Sequence, residues 1–455
     1  MNVFSYLDAH EEQHRKELEE LLGIPSISAL SEHRADVRRA AQWLRDYLER
    51  IGFASAEVLP TQGNPVVWAE WTGRPGAPTA LIYGHYDVQP VDPLELWTSP
   101  PFAPAVRNGR LYARGAADDK GQVMAQLQAL AALLAAEGSL PVNVKVLLEG
   151  EEEIGSPSLE PFIREHPRRV EADLIVISDT SMVDHGVPTI CCGLRGIVDM
   201  EVHVRTAATD LHSGLYGGAA PNAIHVLAQL LAGARQGQGR ILVPGFYDGV
   251  RPLTDEERAQ IAAVPFDEAA FKARLGVEAL VGEPEYTPLE RMTVRPTLEV
   301  NGIWGGFQGE GPKTVIPNEA HAKITCRLVP DQEPEAVAQA VVHYFQTNCP
   351  PGASVRVDVG HCARPWRADP GSREVRAAVR ALQESFGREV ALARMGGSIP
   401  VIEAFDRLLG VPCVLMGFAP PDSNAHAPDE SIPLETLRLA RRALCRFWHE
   451  LAAAG

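Results

Sequence analysis

Cysteine is sparse: seven residues in 455, at positions 191, 192, 326, 349, 362, 413 and 445, with no C-x-x-C pair among them. So odd and scattered a set suits a reducing cytosol better than a disulfide framework. The adjacent Cys191 and Cys192 read as buried small hydrophobes. Basic residues are also few, 42 Lys and Arg against 59 Asp and Glu, for a formal charge of −17. No basic stripe offsets that excess, which argues against nucleic acid as a partner. Long apolar runs are missing as well. The longest, Leu127 to Ala136, is Ala-rich and far short of the ~20 residues a membrane span requires. The first twenty residues carry too many charges to hold a secretory apolar region. A cytoplasmic protein with no membrane partner is expected.

What is present is ordinary in bulk and distinctive in arrangement. Apolar residues make up 45% and charged ones 22%, as in folded globular chains, and the length suits two or three domains. Four short apolar runs each lead to a residue type that binds metal: 81–84 to His85 and Asp87, 144–148 to Glu151-Glu152-Glu153, 174–177 to Asp179, and 414–417 to His426. A further acidic pair, Asp118-Asp119, opens a helical pattern between the first two. Such runs read as strands buried on both faces, and ligands in α/β sheets bind beyond the carboxyl ends of strands. Carboxylates gathered there repel one another unless a cation sits among them, and a divalent metal is the simplest answer.

Helical spacing is expected over 35–51, 119–137, 372–386 and 433–452, with strand and helix alternating through residue 185. From about Gly193 the pattern changes to half-exposed strands at 197–204 and 320–328, with helical runs at 221–234 and 333–347. The economical reading is an α/β catalytic domain (1–191 and 365–455) built on a central, mostly parallel sheet flanked by helices. A smaller α+β lid or dimerisation domain (192–364) interrupts it.

Singly, these residues have plain structural alternatives: Asp118 or Asp119 can cap the following helix, and three consecutive glutamates can form a solvated loop. Together they make a pattern. Gly84-His85-Tyr86-Asp87-Val88-Gln89-Pro90, Arg114-Gly115-Ala116-Ala117-Asp118-Asp119-Lys120-Gly121, Glu152-Glu153-Ile154-Gly155-Ser156, Ser178-Asp179 and His426 resemble, in order and over nearly the whole chain, the M20 family of di-metal peptidases. Asp210-Leu211-His212-Ser213-Gly214, Lys313-Thr314-Val315-Ile316-Pro317 and Gly396-Gly397-Ser398-Ile399-Pro400 resemble its cytosolic dipeptidase and carnosinase branch.

The resemblance implies two divalent metal ions per subunit, zinc or manganese, bridged by Asp118. His85 and Asp179 complete one metal's ligands, and Glu153 and His426 the other's. It implies Glu152 as general base toward a metal-bridging hydroxide and Asp87 as support for His85. It further implies His212, reaching across a homodimer formed through the inserted domain, as oxyanion stabiliser. Arg327, Ser398 and Thr314 are expected to bind the carboxylate of a small peptide substrate. The expected activity is hydrolysis of dipeptides or very short peptides. The alternatives are an N-acyl-amino-acid deacylase on the same metals and a non-catalytic metal-binding scaffold. A Gly-rich stretch at 305–311 lacks the ending of a phosphate-binding loop and is not read as one.

Overall fold

The computed structural model describes residues 2–237, 239–397 and 399–453. Four strands with apolar side chains on both faces form the middle of a nine-stranded sheet among the described residues. They are Asn143–Glu149, Thr79–His85, Leu174–Ile177 and Cys413–Gly417, adjacent in that order and mutually parallel. Antiparallel neighbours flank them: Val66–Trp71 and Ser55–Leu59 on one side, Thr189–Leu194 on the other. The sheet is therefore mixed, with its parallel pairing concentrated in the centre.

Strand periodicity divides the core into two layers. Ile82, Val146, Val176 and Val414 face the helices Arg34–Ile51, Lys120–Glu137, Arg373–Phe386 and Leu434–Ala453. Leu81, Tyr83, Ile177 and Leu415 face the opposite layer, with Phe162 of Leu159–Glu165 and Phe405 of Pro400–Leu409. Each helix expected from the sequence forms within a residue or two of its expected limits. Gly52 and Gly138 end the first two in the left-handed conformation, where a side chain would be strained.

At Leu194 the chain leaves this sheet and builds a second, antiparallel one. Its order is Thr297–Gly305, Glu319–Leu328, Gly196–Arg205, Ser354–Ala363. The helices Ala223–Gly233 and Pro334–Asn348 cover one face, enclosing a separate core that includes Val198, Val202, Leu227, Ile324 and Phe345. An excursion through the helix Asp255–Ala262 reaches back to the first sheet, where Glu257 pairs with Arg394 at 2.6 Å. Among the described residues no helix is long and apolar enough to cross a membrane.

Candidate di-metal active site

Parallel pairing sets the site, because it aligns the carboxyl ends of the central strands. His85 lies opposite Glu149, and Ile177, two residues before Asp179, lies opposite Tyr83. The ligand-type residues therefore emerge along one edge of the sheet.

Two donor groups form there and share one carboxylate. His85, Asp118 and Asp179 make the first, and Asp118, Glu153 and His426 the second, the ligand atoms of each lying within 4.8 Å of one another. His85 Nε2 is 3.1 Å from Asp118 Oδ1 and 3.8 Å from Asp179 Oδ2. His426 Nε2 is 2.9 Å from Asp118 Oδ2 and 3.1 Å from Glu153 Oε2. Each oxygen of Asp118 thus faces a different imidazole.

The residues around these groups fix their aim. His85 Nδ1 lies 3.1 Å from the Asp87 carbonyl, and donation there aims Nε2 at the carboxylates, where it could bind a cation among them. The Asp87 carboxylate accepts the backbone N–H groups of Glu152 (3.3 Å) and Glu153 (3.1 Å). It so pins the short 3-10 turn Glu152–Ile154, which turns consecutive glutamates in different directions. Gln89 Nε2 donates to Glu153 at 2.8 Å. Glu151 turns elsewhere, accepting from the N–H groups of Asn64 (2.8 Å) and Ser158 (3.2 Å).

Three further contributors were not among the expected site residues. Buried Glu430 accepts from the backbone N–H groups of Gly115 (3.0 Å), Ala117 (2.8 Å) and Asp118 (3.0 Å) and from the Arg114 guanidinium (2.8 Å). Glu149, at the end of its strand, accepts from the hydroxyls of Tyr83 (2.5 Å) and Ser156 (2.8 Å). Gly121 must be glycine, since a Cβ there would lie 1.9 Å from the Ala116 carbonyl oxygen.

The electrostatics suit cations. Burial, only partly offset by the charge of His85, pushes Glu152 up to about 9 and Asp179 up to about 7. Hydrogen bonds to Asp118 and Glu153 push His426 up to about 10. Burial opposes the charge on Asp118, yet bonds from His426 and His85 keep its carboxyl below its ordinary value. So many buried carboxylates in one place call for positive charge, and a divalent ion in each donor group would satisfy their oxygens. Imidazole and carboxylate donors suit zinc, manganese or cobalt.

Asp118 and Asp179 open onto a cleft of about 310 Å³ also lined by Thr180, Leu194, Met395 and Gly397. The other expected site residues lie on the second sheet or near it. His212 is exposed on the two-residue strand Leu211–His212, opposite Val315, and its Nδ1 accepts from the Gly214 N–H at 3.0 Å. Thr314 stands beside it, its carbonyl accepting from Ser213 N–H at 3.0 Å. Neither belongs to a donor group. Arg327 is half-buried on Glu319–Leu328, opposite Ile197 and Thr297. Ser398 lies outside the described residues.

Comparison with known proteins decides the family. Residues 81–450 match Peptidase family M20/M25/M40. The chain belongs to that family. It is a metallopeptidase. Among its relatives, the human Beta-Ala-His dipeptidase is 33% identical, the alignment covering 99% of this chain and 92% of that protein. The Cys-Gly metallodipeptidase DUG1 of Candida albicans is 31% identical over 95% of this chain and 93% of its own. A solved M20 family metallo-carboxypeptidase, Sso-CP2 from Sulfolobus solfataricus, superposes with a TM-score of 0.86. It is 34% identical, over 97% of this chain and 99% of that one.

Proposed function

We propose that this metallopeptidase hydrolyses the peptide bond of dipeptides or very short peptides, using two divalent cations, zinc or manganese. The observation that carries the proposal is Asp118 shared between two donor groups at the rim of the cleft, with Glu152 beside them. The similarity to enzymes named as dipeptidases supports it.

Cations in these two groups would polarise the scissile carbonyl and lower the pKa of a bound water toward neutrality. Glu152 takes a proton from the attacking water and passes it to the leaving amine. Its side chain makes none of the ligand-type contacts of Glu153, and Asp87 holds its backbone in place. Cations bound in the two groups would bring its raised pKa back toward the range of a working base.

The units 1–191 with 365–455 and 192–364 then divide the labour, the first holding the metals and the second acting as lid and dimer contact. Exposed Val300 and Ile303 on the edge strand Thr297–Gly305 offer pairing surface for a second copy. His212, exposed and outside both donor groups, reaches the site of that second copy and stabilises the oxyanion. Arg327, Ser398 and Thr314 anchor the substrate carboxylate. A cytoplasmic setting agrees with seven unpaired cysteines.

The test is amino-acid release from a panel of dipeptides and N-acyl amino acids by chelator-treated protein, with and without added zinc or manganese. Metal-restored cleavage of dipeptides is expected. Cleavage confined to N-acyl amino acids would overturn the proposal. A Glu152→Gln variant should keep its metal and lose about 10²–10⁴ in kcat.

A further inference from the structure

The metal cleft is lined by two unlike sets of residues. Asp118 and Asp179 form one, and the other is apolar: Leu194, Met395, Ile399, Ala117, Ala419 and Ala425. Leu194 and Met395 are register partners at the ends of two parallel strands, Thr189–Leu194 and Ala391–Met395, and both pack on the core layer that holds Phe405. Arg195, next in the chain, donates its backbone N–H to the Gly397 carbonyl at 3.1 Å and its Nε to the Gly396 carbonyl at 2.9 Å, which holds that loop beside the same wall. The Ala419 carbonyl accepts from the Met182 N–H at 2.7 Å. The apolar wall is therefore continuous with the folded core.

Among the described residues lining the cleft, Asp118 and Asp179 are the only charged ones, and both belong to the donor groups. The polar remainder is neutral. Gln122 commits its amide within the protein, Nε2 donating to the Ala117 carbonyl at 2.8 Å and Oε1 accepting from the Phe418 N–H at 2.7 Å. Thr180 and Ser181 add only hydroxyls. A charged side chain entering here would give up its water and meet no charge beyond the two ligand carboxylates and the cations they hold. An apolar one would exchange water for Leu194 and Met395, a gain that grows with the area it buries.

Position decides which substrate residue is concerned. Glu152 passes its proton to the leaving amine, which belongs to the C-terminal residue, and the turn Glu152–Ile154 contributes nothing to the cleft lining among the described residues. The residue on the other side of the scissile bond, whose Cα is bonded to the attacked carbonyl carbon, is the one that faces the cleft. We propose that the cleft receives the side chain of the substrate's N-terminal residue and selects large apolar ones, with Leu194 and Met395 setting the preference. Dipeptides that begin with Leu, Met or Phe are then the favoured class. The proposal rests on the dipeptidase reading above and adds to it the class of substrate.

The experiment measures kcat/KM of the metal-loaded enzyme for Leu-Gly, Ala-Gly and Asn-Gly, with Gly-Leu, Gly-Ala and Gly-Asn as the mirror series. Leu and Asn are close in size, so their ratio isolates polarity. Leu-Gly should exceed both Ala-Gly and Asn-Gly by about tenfold or more, as an apolar pocket allows, and the mirror series should spread less. Met395→Gln, which keeps the length of the side chain and makes it polar, should lower the Leu-Gly to Asn-Gly ratio. Equal values across the first series would overturn the proposal and leave the dipeptidase reading standing. A wider spread in the mirror series would overturn the assignment of the cleft to the N-terminal residue, and a ratio unchanged in folded Met395→Gln would overturn the role of this wall. No cleavage of any of the six dipeptides would overturn the reading beneath. The wild-type comparison stands whether or not the variant folds.

Discussion

Glu430 holds Asp118 by its backbone: the Asp118 N–H donates to Glu430 Oε1 at 3.0 Å. Glu430 follows His426 by four residues, so the loop that brings one imidazole to the shared carboxylate also fixes that carboxylate's own loop. Glu430→Gln removes the charge facing buried Arg114 and disturbs the bonds to Gly115 and Ala117. The expected loss is about 3 kcal/mol, the lower end for breaking a buried ion pair, read as a lower denaturant midpoint. Bound metal, measured by elemental analysis, should fall as well.

Asp87 acts on the two glutamates rather than only on His85. With both oxygens accepting N–H groups from Glu152 and Glu153, Asp87→Asn leaves one of them facing an amide N–H₂ that cannot accept. A loss of about 10–100-fold in metal affinity or activity is expected. Titration of the chelator-stripped variant with zinc or manganese would measure it, and unchanged affinity together with unchanged turnover would remove Asp87 from the supporting set.

Asp118 is the only carboxylate common to both donor groups among the described residues. Asp118→Asn should therefore weaken both metals, whereas His426→Ala should weaken one. Metal stoichiometry at increasing chelator concentration separates the two cases, because loss of a single ion in both variants would contradict a shared ligand.

His14 lies far from this chemistry and gives stability a pH dependence. It is 3% exposed, its Nδ1 has no hydrogen-bond partner among the described residues, and burial, with Arg441 adding to it, pushes it down to about 3. The folded form resists a proton that the unfolded chain takes up near pH 6.5. Stability is complete above that value and falls as the pH drops from about 6.5 toward 3, by at most about 1.4 kcal/mol per unit. His14→Gln should flatten that part of the unfolding curve between pH 6.5 and 5.

Gly121 packs its α-carbon against the Ala116 carbonyl, where a methyl group would overlap backbone that has little room to yield. Gly121→Ala should cost about 1–3 kcal/mol as overpacking and shift the Asp118 loop. Thermal denaturation of the metal-free protein separates this effect from loss of metal binding.

Much of the fold was legible because the ligand-bearing strands are buried on both faces. Runs such as Leu174–Ile177 had to be continuous hydrophobes ending near their chemistry. Three consecutive glutamates look alike in sequence and differ in their contacts: Glu151 accepts from Asn64 and Ser158, and Glu153 meets His426. Glu430 and Arg195 could not be found in this way. Their partners lie about 200 to 320 residues away along the chain, and neither periodicity nor a local motif records such a contact. The antiparallel strands Ser55–Leu59 and Val66–Trp71 are missing from the sequence reading for a related reason, since the parallel pattern at the centre carries it.

The chain crosses between its two sheets at neighbouring points. Leu194 is the partner of Trp366 in one sheet, and Ile197 is the partner of Ala363 in the other. In connectivity, the whole second unit is the loop of a β-hairpin. Its ends are held a strand spacing apart, so the first sheet needs only a tight turn from Leu194 to Trp366 to close without it. A chain shortened in that way keeps both donor groups and loses His212, Thr314 and Arg327. It would ask how much chemistry the two donor groups support without the second unit.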